Sequence, residues 1–90
     1  MNWQNFAQTL GYLNEQELFE RMEKVFEDIE EKITWFISPL PNGQWVAFND
    51  VDQVKYFKTR EEALWFQLMV WKKRAQEFHK FWEKMRKEAK

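Results

Sequence analysis

Between residues 59 and 89 the apolar positions Leu64, Leu68, Trp71, Ala75, Phe78, Trp82, Met85 and Ala89 recur at alternating spacings of four and three. An a/d seam held over more than three heptads is a helical repeat that no strand can satisfy, and it predicts one helix of about thirty residues over 59–89. Thr59 can cap its start, Glu61 and Glu62 lie in the first turn where the helix dipole favours anions, and no Pro or Gly follows. Trp65, Phe66, Met69 and Val70 widen the apolar stripe at its beginning. Farther along, Lys72, Lys73, Arg74, Lys80, Lys84, Arg86, Lys87 and Lys90 flank a narrow aromatic seam. The first half is therefore expected to face a core and the second a partner helix. At about 1.5 Å per residue the helix is on the order of 45 Å long, against about 17 Å for a five-residue strand, so part of it must overhang any sheet the chain builds.

A chain of 90 residues is expected to form a single domain, 1–90, that buries roughly 65% of its unfolded surface. Six Trp and nine Phe against two Gly and two Pro place it far from the disordered class. The absence of cysteine excludes disulfides, thiolate metal sites and thiol nucleophiles and leaves the redox compartment undetermined, with a cytoplasmic location as the default expectation. No basic residue precedes Arg21 and no long apolar run opens the chain, so a secretory signal is not expected. The longest uncharged run, 33–49, contains Pro39, Pro41 and Gly43, which argues for a soluble protein with no membrane partner.

The net charge of −1 conceals an uneven layout. Residues 15–32 hold eight acids and three bases (−5), and residues 72–90 hold eight bases and three acids (+5). The two segments are complementary, either within the fold or across a dimer, or else one of them meets an outside partner of opposite sign.

Taken in order, Trp3, Phe6, Ala7 and Leu10 mark a short amphipathic helix that Gly11 can end in a left-handed conformation. Asn14 with Glu17 reads as an N-cap, and Leu18, Met22, Val25, Ile29, Phe19, Phe26 and Ile33 then predict a second helix of about eighteen residues. Glu17 to Arg21, Glu20 to Lys24 and Asp28 to Lys32 would be its i,i+4 ion pairs. From Ile33 the composition turns β-branched and aromatic. Strands are predicted over 33–38, 44–49 and 54–57, with turns at 39–43 and 49–52. The chain thus divides into N-terminal helices (1–32), a three-stranded sheet (33–58) and the long helix (59–89).

The inventory for catalysis is thin: one histidine, His79; one serine, Ser38; three threonines; and no cysteine. A triad or a zinc site needs partners that are absent, and no Gly-rich phosphate loop occurs. His79 beside the seam reads as a partly exposed histidine. Asp50 and Asp52 read as a solvated turn more readily than as a cation site. No enzymatic activity, metal or cofactor is expected. If Ile33, Trp35 and Ile37 face inward, Thr34 and Phe36 face out with one of Trp45, Phe48 or Phe57, a placement that would suit base stacking; since the strands supply only Lys55 and Lys58 as cations, burial of those aromatics in a core or a subunit interface is the expectation.

The order helix, three strands, helix resembles that of double-stranded-RNA-binding domains. The junction Phe57-x-Thr59-x-Glu61-Glu62-Ala63-x-Trp65 is similar to the strand-to-helix junction of AP2-like and integrase arm-binding DNA modules. Where the RNA-binding domains carry a lysine cluster this chain has Glu61 and Glu62, and the basic strands of the DNA modules are lacking, so no site is carried over.

These readings converge on an α+β fold: a three-stranded antiparallel β-meander packed against helices gathered mainly on one face, in the order α-α-β-β-β-α, with a long C-terminal helix. The expected function is a small non-enzymatic protein-interaction module, an adaptor, assembly factor or inhibitor of a larger protein, acting as a homodimer. Trp71, Phe78, Trp82 and Met85 are its candidate interface anchors. The alternative is a nucleic-acid-binding regulator in which Lys72, Lys73, Arg74, Lys80, Lys84, Arg86 and Lys87 contact the polyanion.

Overall fold

The computed structural model describes residues 1–88. Two short helices, α1 (Trp3–Thr9) and α2 (Glu15–Arg21), precede four strands: β1 (Glu23–Asp28), β2 (Ile33–Pro39), β3 (Trp45–Asn49) and β4 (Val54–Phe57). A continuous helical run follows, made of α3 (Arg60–Phe66), a π-helical segment (Gln67–Lys72) and α4 (Lys73–Glu88). The class is α+β, and the sheet is a meander in the order β1-β2-β3-β4 with every neighbouring pair antiparallel. Ala89 of the seam and Lys90 of its basic flank lie outside the described residues.

Local capping is as the sequence implies. Asn2, Asn14 and Thr59 accept from the backbone N–H of Asn5, Glu17 and Glu62, and Gly11 takes φ +99° past the end of α1. The Glu17 carboxylate completes its cap by accepting from Leu13 N–H at 3.1 Å.

Two expectations are corrected. First, the second helix stops at Arg21, and Glu23–Asp28 is a strand, which makes four strands where three were expected. The cause is a β-bulge between Lys24 and Phe26 on β1. With Val25 as the extra residue, Val25 and Phe26 both turn toward the same face, so adjacent apolar residues mimic a helical stripe. The pairs expected between Glu20 and Lys24 and between Asp28 and Lys32 are accordingly replaced by Lys24 with Glu27 (3.3 Å), Glu23 with Arg60 and Asp28 with His79.

Second, the helices cover both faces of the sheet. On one side Trp3 and Phe6 of α1 lie edge-on or tilted against Phe36 and Phe48, and Ala7, Leu10, Leu18, Leu40 and Val46 complete a dry cluster. On the other, Ile37, Ala47 and Ala63 form a smaller cluster with Val25, Trp45, Phe57, Leu64 and Trp71 around it. Phe36, half-buried under α1 and stacked on Phe48, packs into the core in keeping with the burial expected for the aromatics of this face.

Candidate functional site

The long helix keeps to the sheet only in its first half. The covered positions Ala63, Gln67, Trp71, Ala75 and His79 repeat every fourth residue. At 3.6 residues per turn such a row would drift by about 40° at each step, and the wider π turn over Gln67–Lys72 takes up part of that drift. Gln67, fully buried, donates from Nε2 to the carbonyls of Phe36 (2.6 Å) and Phe48 (3.3 Å). Trp71 lies against Trp35 at 4.8 Å between centroids, and Trp35 stacks in turn on Phe26 at 5.5 Å. Lys72 places its ammonium 5.9 Å above the Phe26 ring.

α4 has no buried residue. Phe78, Trp82 and Met85 are 50%, 46% and 46% exposed, and Phe81 beside them is 57% exposed. Phe78 and Phe81 each meet the Trp82 ring edge-on, at 5.8 and 6.1 Å. The molecule measures 53 × 25 × 16 Å, the elongation expected of a helix that outruns its sheet. Toward the body of the protein this stripe opens into a groove walled by Ile33, Trp35 and Gln53 on the sheet side and by Trp71, Arg74 and Phe78 on the helix.

The four anchors read from the seam thus occupy two environments. Trp71 is largely covered and belongs to the helix-on-sheet packing, whereas Phe78, Trp82 and Met85 share an open stripe. Phe81 belongs to that stripe too. It escaped the sequence reading because it flanks the a/d positions, and its signal was an aromatic residue among lysines. Of the candidate polyanion contacts, Lys72 is tucked over Phe26, while Lys73, Arg74, Lys80, Lys84, Arg86 and Lys87 are exposed with no carboxylate partner among the described residues.

Among the described residues, the two oppositely charged segments form ion pairs at one place. The β1–β2 turn, in which Lys32 adopts φ 57° and Asp28 accepts from Glu31 N–H, presents Asp28 and Glu30 to His79. The bulge on β1 is what aims Asp28 that way, because it restarts the alternation at Phe26 and brings Asp28 onto the α4 side. Of the acids of α2, Glu15 and Glu20 are exposed and Glu17 is half-buried against its own cap. Partial burial pushes the Asp28 carboxyl up, but hydrogen bonds from His79 and from Glu31 N–H, with the charge of His79, outweigh it and leave the group below the usual carboxylate range. At the start of α3, Arg60 grips Glu23 with two hydrogen bonds, Nε to Oε2 at 3.0 Å and a terminal nitrogen to Oε1 at 2.8 Å. The hydrogen bond from Arg60 lowers the Glu23 pKa and raises that of Arg60.

The residues with chemical potential are engaged in structure. Ser38 is fully buried, donates to the Pro39 carbonyl at 3.0 Å and lies 3.4 Å from the Tyr12 hydroxyl. Asp50 accepts from Thr34 N–H at 3.1 Å, which extends the β2–β3 ladder. Asn49, 2% exposed, gathers the N–H groups of Val51, Asp52 and Gln53 on its Oδ1. Among the described residues no helix is long and apolar enough to cross a membrane, and no three His, Asp or Glu side chains converge as metal ligands would. Compared with protein-family models, with curated proteins and with solved structures, the chain matches none.

Proposed function

We propose that this protein is a small, non-enzymatic interaction module that docks helix to helix through α4, as a homodimer or against a larger protein for which it serves as adaptor, assembly factor or inhibitor. One observation carries the reading: Phe78, Phe81, Trp82 and Met85 form a contiguous apolar stripe, about half exposed, on α4, which has no buried residue. Large aromatics dominate interface energetics, and an amphipathic helix is a common recognition element. Leaving several such side chains in water costs about 25 cal/mol per Å² of apolar surface, which a partner recovers. The non-enzymatic part of the reading is supported by the structural employment of Ser38, Asp50 and His79. A compartment in which such partners are met, the cytoplasm, is part of the same proposal.

Sedimentation equilibrium near about 10 µM tests the self-association arm, a range in which an interface of standard size is populated. The expected result is a dimer that Trp82→Ala shifts toward monomer by at least about tenfold in Kd. A wild-type monomer that also fails to bind any α-helical partner through Trp82 would overturn the reading.

The exposed, carboxylate-free Lys73, Arg74, Lys80, Lys84, Arg86 and Lys87 favour a second reading, in which α4 lies along a nucleic acid. Glu77, Glu83 and Glu88 interrupt that basic face. Titration of labelled duplex and single-stranded RNA and DNA at two salt concentrations separates the readings, since each phosphate contact on a duplex contributes roughly 0.9 to the slope of log K against log salt.

A further inference from the structure

We propose that His79 is a protonation-controlled clamp: the imidazolium pins α4 to the β1–β2 hairpin, and loss of its proton lets α4 open locally while the sheet stays folded. His79 Nε2 lies 3.0 and 3.1 Å from the two carboxylate oxygens of Asp28, and Nδ1 lies 2.9 Å from Glu30 Oε2. A neutral imidazole has one N–H and one bare lone pair. It can satisfy one of these carboxylates, and its lone pair would then face the other oxygen anion. Only the cation has an N–H on both nitrogens and a charge that attracts both carboxylates, so the hydrogen bond to Asp28 and the close ion pair with Glu30 are together those of the charged ring.

The surroundings are consistent with this. The hairpin turns Asp28, Glu30 and Glu31 toward the ring, with Glu27 farther along the same wall. From the helical run, Lys72 and Gln76 line the cleft on one side of His79, and Arg74, Glu77 and Phe78 the other. The hydrogen bond to Asp28 raises the His79 pKa, partial burial opposes it, and the charges of Asp28, Glu30 and Glu31 add to the rise, with a net shift above the ordinary 6.5. For a group whose folded pKa lies above its unfolded value, the stabilisation is complete below about pH 6.5 and disappears as pH rises through the folded value. α4 has no buried residue and Glu30 is 64% exposed, so this anchorage can be lost without disturbing either hydrophobic cluster.

The inference does not depend on what α4 binds, and its test needs no partner. Ring ¹⁵N and ¹³C resonances of His79 are followed by NMR from about pH 5.5 to about pH 8.5, a range that brackets an ordinary histidine. In parallel, amide exchange over 76–82 is measured and corrected for the intrinsic dependence on pH. The ring should be doubly protonated at the acid end and titrate above 6.5. Corrected exchange should rise across that titration, by up to about tenfold for each unit separating the folded and unfolded pKa values, while the β2 and β3 amides stay protected. In His79→Gln, α4 exchange should be independent of pH and match the high-pH wild type. In Glu30→Gln the His79 titration should move down. A His79 that titrates at or below 6.5, or a wild-type α4 whose corrected protection is flat through the titration, would overturn the clamp.

Discussion

Gln67 donates its side-chain amide to the Phe36 carbonyl at 2.6 Å from the first residue of the π segment, and the same nitrogen reaches the Phe48 carbonyl on the adjacent strand. A fully buried amide bridging two strands is a polar rivet in an otherwise apolar contact. Gln67→Leu should therefore cost about 1–2 kcal/mol by urea unfolding, because two carbonyls lose a donor. Gln67→Glu should cost about 3 kcal/mol or more at neutral pH, since a carboxylate would then face both carbonyls. Its loss should shrink as the carboxyl is protonated, which a pair of unfolding curves at neutral and acid pH would reveal.

Trp71 and Trp82 occupy the same seam and should behave in opposite ways. Trp71→Ala removes a ring packed on Trp35 and Phe66 and should destabilise the fold by about 3 kcal/mol. Trp82, 46% exposed, should change unfolding by less than about 1 kcal/mol when truncated, and should act on association instead. Denaturation below the dissociation range, set beside sedimentation, distinguishes the two roles.

Asn49 holds three backbone N–H groups on one oxygen at 2.8–3.0 Å. Asn49→Ala should loosen the β3–β4 turn and cost about 2 kcal/mol. Asn49→Asp keeps the acceptor and, at neutral pH, should stay within about 1 kcal/mol of the parent. Thermal melts of both variants suffice. An alanine variant as stable as the aspartate one would show that water satisfies the turn equally well.

The Glu23 carboxyl is held below 4.5 chiefly by the Arg60 hydrogen bond. Its stabilising contribution is therefore present above 4.5 and lost as pH falls through the lower folded value. Arg60→Lys removes the two-pronged grip, and the Glu23 titration followed by NMR should move up toward 4.5. An unmoved titration would mean that charge alone, without the fork, sets the shift.

How much of this was legible in the chain depended on distance along it. The caps at Asn14 and Thr59 and the left-handed Gly11 are satisfied within four residues, and the strands from Ile33 onward are β-branched and aromatic runs bounded by turn residues, so both could be read directly. β1 could not, because Leu18, Met22, Val25 and Ile29 have helical spacing and the bulge at Val25 hides the alternation. The placement of α1 under Phe36 and Phe48 is a tertiary choice with no local signature. His79 finds Asp28 across 51 residues, which no spacing rule anticipates.

The π turn also acts as a phase-setter. Each residue of an α-helix advances the side-chain direction by about 100°, and a π coil takes up about one residue more than an α coil, so rewinding 67–72 as regular α-helix with every residue kept would rotate all of α4 by roughly that angle. The Phe78–Trp82–Met85 stripe would swing away from the groove, and His79 would turn off Asp28, with no change to any side chain in α4. The direction in which this protein shows its aromatic surface is thus encoded one turn upstream, in how many residues the backbone fits into a single coil.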